Sequence, residues 1–128
     1  MRRIALLVAL VAAMLMPASV AARSTNCSVD VSPRIGTPTS IYRLTVSNVP
    51  LDPAGGSVEV QIDIHRLGTK YGALLFVFVI PGVSRFYVDY NAPIPDEPNE
   101  PLARGVYKLD VHTPHIGGCQ TGGIFIVR

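Results

Sequence analysis

The 128-residue chain has no tryptophan, only two cysteines and 16% charged residues. Each scarcity excludes something. Two cysteines without a C-x-x-C pair leave no cysteine-rich metal site and no dithiol redox motif. There is no G-x-S-x-G elbow, no H-E-x-x-H and no glycine-rich phosphate loop followed by lysine, so the common motif-bearing hydrolases, zinc peptidases and nucleotide-binding folds drop out. No stretch after residue 22 keeps a helical period, which removes helical bundles and alternating α/β architectures. No run of Lys or Arg matches phosphate spacing, and nucleic acid is therefore not an expected partner. No apolar run reaches the roughly twenty residues that a membrane-spanning helix requires.

What is present begins with a leader. Arg2 and Arg3 precede an apolar stretch over residues 4–16, and small residues follow at Ala18, Ala21 and Ala22. This is the pattern of a signal peptide over residues 1–22, cleaved after Ala22. Residues 23–128 then form a single exported domain, secreted or periplasmic, with no membrane span after cleavage. The formal charge of +2 comes from the leader, because losing Arg2 and Arg3 from eleven basic residues leaves nine against nine acidic ones. Export also decides the cysteine chemistry: Cys27 and Cys119 are expected to form a disulfide. Asn26-Cys27-Ser28 fits the N-glycosylation pattern, which matters only in a eukaryotic pathway.

Strand signals recur along the rest of the chain with turn residues between them. The clearest covers residues 57–66, where Val58, Val60, Ile62 and Ile64 alternate with Glu59, Gln61, Asp63 and His65, as a half-buried strand requires. Tyr42, Leu44 and Val46 mark one face of a second strand, and Cys27, Val29 and Val31 one face of a first. Residues 73–80 are apolar without a break, which reads as a central strand buried on both faces, with an exposed surface awaiting a partner as the alternative. Phe86, Val88 and Tyr90 follow on one face, then Tyr107, Leu109 and Val111, and residues 123–127 close the domain.

About seven short strands with one apolar face each predict an all-β fold, a small antiparallel β-sandwich, with a small β-barrel as the alternative. The stretch Gly105-Val106-Tyr107-Lys108-Leu109-Asp110-Val111 resembles the G-x-Y-x-L-x-V strand of immunoglobulin-like extracellular sandwiches. The cysteines depart from that pattern, since they lie in the first strand and the last connection.

Function is expected in the loops, because a rigid sandwich presents them free of packing constraint. Residues 91–104 carry Pro93, Pro95, Pro98 and Pro101 with Asp96, Glu97 and Glu100, an extended, polyproline-like and locally negative segment. Tyr87 precedes it with solvent-facing parity, so Tyr87, Asp96, Glu97 and Glu100 are candidate binding residues. Asp89, Asn91 and Asn99 add oxygen donors, but no calcium-loop spacing exists and the acidic loop reads as solvated. Gly68-Thr69-Lys70-Tyr71 resembles the G-x-x-Y part of the inhibitory loop of periplasmic lysozyme inhibitors, with Leu67 where that loop has serine, and this singles out Tyr71 at the other end of the sandwich. His65, His112 and His115 are weak metal candidates that require their strands to be neighbours. These residues point to a non-enzymatic module recognising a protein or glycan. A hydrolase inhibitor and a secreted metal-binding protein are the alternatives. Neither enzymatic activity nor a cofactor is expected.

Overall fold

A computed structural model describes residues 27–97 and 100–128. The expected leader and its cleavage site, with Asn26, Pro98 and Asn99, lie outside the described residues. Eight strands form two sheets: β1 (Ser28–Ser32), β3 (Tyr42–Ser47) and β6 (Phe86–Tyr90) make a three-stranded sheet in the order β1-β3-β6. The five-stranded sheet runs β2-β8-β7-β4-β5, from β2 (Ile35–Gly36), β8 (Gln120–Val127), β7 (Gly105–His112), β4 (Val58–Arg66) and β5 (Gly72–Val79). All ladders are antiparallel except β2 with β8. This is the expected small β-sandwich, with one strand more than the sequence predicts. The chain changes sheets between β1 and β2, at Pro33, whose missing N–H ends the first ladder.

The core lies between the sheets, built from the alternating positions that the sequence marks as inward. Tyr42, Leu44 and Val46 come from one sheet; Val60, Ile62, Ile64, Leu109 and Val111 come from the other, all at 0–1% exposure. Phe125 is the aromatic centre, stacked on Tyr107 with ring centroids 5.0 Å apart and tilted against Tyr42 at 4.6 Å. Buried tyrosine hydroxyls need acceptors. Tyr42 donates to the Thr37 carbonyl (2.8 Å) and Tyr107 to the Ala103 carbonyl (2.6 Å), the latter a hydrogen bond to backbone four residues upstream, of the kind that forms a tyrosine corner in immunoglobulin-like sandwiches.

Burial pushes the Tyr107 hydroxyl up to about 12, and burial raises Tyr42 and Tyr90 as well. The fold thus favours the neutral phenols. Their contribution is fully present below the ordinary tyrosine value of about 10 and is lost as pH rises through the folded value near 12. The urea midpoint is expected to hold up to about pH 9.5 and to fall steeply between about pH 10 and 12, with a shallower fall in Tyr107→Phe. An equal slope in Tyr107→Phe would assign the alkaline loss to other groups.

Two expectations are corrected. The apolar run of β5 is not a central strand: β5 is the edge of its sheet, with Val79 buried but Leu74, Phe76 and Phe78 exposed. Nor do residues 91–104 keep an extended course. The chain turns where the Glu97 N–H donates to the Ile94 carbonyl, with Asp96 at φ 64°. The Asn91 amide and the Leu102 N–H both donate to the Pro38 carbonyl, and buried Leu102 anchors the return. The loop is tied down at both ends.

Candidate functional site

The outer face of the five-stranded sheet gathers most of the chemistry-bearing side chains. Period-two alternation sends Glu59, Gln61, Asp63 and His65 of β4 outward, and Lys108, Asp110 and His112 of β7 with them. These strands are neighbours, and their register sets Gln61 opposite His112, Asp63 opposite Asp110 and His65 opposite Lys108. Each strand carries an Asp-x-His on this face, Asp63-Ile64-His65 and Asp110-Val111-His112. Antiparallel pairing brings the two aspartates together and throws the histidines to opposite sides of them.

The metal-ligating atoms of Asp63, His65 and Asp110 all lie within 4.8 Å of one another. The three histidines do not converge. His65 and His112 are four residues apart along the ladder, about 13 Å at about 3.3 Å per residue. His115 instead places Nε2 2.6 Å from Glu59 Oε2. The three imidazoles therefore do not face one point, and the donor atoms that do gather come from one imidazole and two carboxylates.

Like charges directly opposite on neighbouring strands destabilise a sheet, so the Asp63–Asp110 pair costs stability locally. Its nearest compensation is weak: Lys108 Nζ stands 3.9 Å from Asp110 Oδ1, with both side chains half-exposed. Glycines border the cluster on both sides. Gly122 is opposite Asp110, and a Cβ there would stand 2.7 Å from the Leu109 carbonyl oxygen; Gly72 is opposite His65, where a Cβ would collide with the Ile64 carbonyl. Side chains are thus sterically excluded at two positions flanking the donors, and the surface beside them stays bare. Two open grooves, of about 510 and 320 Å³, lie around Pro50 and Leu51 and around residues 112–120; neither is lined by Asp63, His65 or Asp110.

The remaining sequence-derived candidates are dispersed. Tyr87 is exposed on the outer face of the other sheet, beneath the Arg43 guanidinium at 4.0 Å from the ring centroid. Arg43 also grips Asp89 through two hydrogen bonds (2.8 and 3.1 Å), which hold that carboxyl below the usual carboxylate range. Asp89 is thereby occupied, and Asn91 spends its amide on the Pro38 and Ser40 carbonyls. Asp96, Glu97 and Glu100 are exposed. Tyr71 lies at the β4–β5 turn, edge-on to Tyr107 at 6.4 Å. Since the Leu67 N–H donates to the Val106 carbonyl, that turn sits beside the C-terminal end of the 91–104 loop, at the same end of the sandwich and not the opposite one. Tyr87, three residues before Tyr90, which leads into the loop, pairs with Thr45.

The class of molecule so defined is a small disulfide-bridged β-sandwich with an acid–histidine cluster on one outer sheet face. No protein-family model matches the chain, and no curated protein matches it. Among solved structures, it is similar to the superoxide reductase (neelaredoxin) from Ignicoccus hospitalis, at 13% identity over 84% of each chain and a TM-score of 0.55. That likeness shows the shared fold. It corrects the expectation of a non-enzymatic protein- or glycan-binding module, since the structure that shares the fold is named as an enzyme. The Cys27–Cys119 disulfide is formed, as expected, and implies an oxidising compartment. With both sulfurs bonded to each other, neither is a thiolate ligand. No helix among the described residues is long and apolar enough to cross a membrane.

Proposed function

We propose that the protein is an exported, metal-dependent enzyme, secreted or periplasmic, whose centre is Asp63, His65 and Asp110. The observation that carries this reading is the Asp63–Asp110 pair, a placement that is unfavourable for the sheet and explained by a cation between the carboxylates. Two carboxylates and one imidazole suit a divalent first-row ion such as Mn²⁺ or Fe²⁺, and three protein ligands leave coordination positions open. The bare surface over Gly72 and Gly122 admits a small molecule. The likeness to a superoxide reductase supports a small oxidant of that kind as substrate. Reduction of superoxide takes an electron and protons to hydrogen peroxide, and the electron comes from an external donor. When bound, the metal supplies the one-electron chemistry, and the protein's part is to hold it and keep the approach open.

Calorimetric titration of the purified, disulfide-bonded protein with Mn²⁺, and anaerobically with Fe²⁺, tests the site. One ion per chain is expected. Asp63→Asn or Asp110→Asn should weaken binding at least about tenfold, about 1.4 kcal/mol, while His112→Ala leaves it unchanged. Lys108→Ala should tighten it about threefold by removing a competing cation. Absence of binding at millimolar metal would sink the reading. Superoxide consumption in the presence of a reductant, at a rate no greater than that of the free ion, would leave the metal site standing and remove this substrate.

A further inference from the structure

β5 is an edge strand that leaves its backbone hydrogen-bonding groups available along one side. Which residues present them follows from the turn before it. The Arg66 N–H donates to the Tyr71 carbonyl (2.8 Å), so Arg66 and Tyr71 form a hydrogen-bonded pair. Antiparallel pairs alternate, and the next such pairs are therefore Ile64 with Ala73, Ile62 with Leu75 and Val60 with Val77. Gly72, Leu74, Phe76 and Phe78 consequently turn their N–H and C=O groups away from β4. The side chains of the last three, with Ile80, are also the exposed apolar stripe of the sheet's outer face, at 51, 53, 69 and 65% exposure. Residues 72–80 contain no charge and no proline, the usual guards of a solvent-facing edge.

We infer that this edge pairs antiparallel with β5 of a second copy, about a two-fold axis through Phe76, joining the two five-stranded sheets into one ten-stranded sheet. An identical strand is the occupant that the edge fits best. With the axis at Phe76, every outward-facing backbone group from Leu74 to Phe78 finds a partner. Phe76 meets Phe76 of the second copy, and Leu74 meets Phe78 of the second copy, at the roughly 5 Å spacing at which directly opposed side chains interact. No like charges are brought together. A nine-residue edge is about 30 Å long and buries about 400 Å² from each copy, about 800 Å² in total, which is below the roughly 1,200 Å² at which stable interfaces begin and makes the association a weak one. The association is closed. The other edge of the sheet is the two-residue β2, too short to extend the assembly into a fibre. This inference is independent of the metal centre.

Sedimentation velocity of the purified, disulfide-bonded protein over about 10 to 500 μM tests it, a span that reaches the weak association expected of so small an interface. A monomer–dimer equilibrium is expected. Phe76→Lys, which sets two ammonium groups at the axis, should weaken it at least about a hundredfold while the circular dichroism melting curve stays that of the parent, since the side chain is exposed. Ile124→Lys adds the same charge at a 55% exposed position on β8 of the same sheet face, and should change the dissociation constant less than about twofold. A monomer throughout, a dimer indifferent to Phe76→Lys, or a dimer broken only by Ile124→Lys each overturns the inference.

Discussion

Phe125→Ala is expected to lower stability by about 3 to 5 kcal/mol, enough to remove much of the margin of a small domain. The ring is fully buried, stacks on Tyr107, tilts against Tyr42 and meets Tyr90 edge-on at 6.4 Å. Tyr42 and Tyr90 belong to the three-stranded sheet and Phe125 and Tyr107 to the five-stranded one, so the ring is where the two layers grip each other. Neighbours cannot collapse into the space it leaves, because Tyr42 and Tyr107 are each held by a hydroxyl bonded to a backbone carbonyl. Urea unfolding of the variant and the parent measures the difference. A loss below about 1.5 kcal/mol would mean that the aromatic cluster repacks and that its rings are not fixed in this arrangement.

Reduction of the Cys27–Cys119 bond is expected to cost about 2 to 4 kcal/mol. The bond closes a loop of 92 residues, and the chain-entropy account puts its upper limit near 4.6 kcal/mol for that length. Both cysteines are buried in the core cluster, so the paired variant Cys27→Ala with Cys119→Ala adds lost packing to lost cross-linking. Comparing urea midpoints of the native protein, the reduced protein and the paired variant separates the two contributions. If reduction shifts the midpoint by less than about 0.5 kcal/mol, the unfolded chain is already compact enough that the bridge constrains little.

The architecture is largely readable from residue alternation, because inward positions such as Tyr42, Leu44, Ile62, Leu109 and Val111 recur at period two and one face must be covered. What alternation cannot supply is neighbourhood. In β5 both faces are apolar, and an unbroken apolar run looks the same whether the strand is central or, as here, an edge with Phe76 and Phe78 in solvent. β2 spans two residues, too few for any period. The acid–histidine cluster was half visible. His65 and His112 stand out as residue types, whereas Asp63 and Asp110 look like ordinary solvent-facing positions until the pairing of β4 with β7 sets them opposite each other. The repeated Asp-x-His is the local signal that could have found them. Its meaning depends on a register between strands that are distant in sequence, which no local pattern encodes.

Covalently, the described chain is a ring with a tail. Residues 27–119 are closed by the disulfide, and strands β1 to β7 all belong to that ring, while β8 alone lies beyond it. A protease that cuts the exposed turn at residues 94–97 therefore opens the ring and releases no fragment: the pieces on either side stay joined through Cys27 and Cys119 and remain paired across both sheets. Only a cut beyond residue 119 can detach a strand, and that strand carries Phe125.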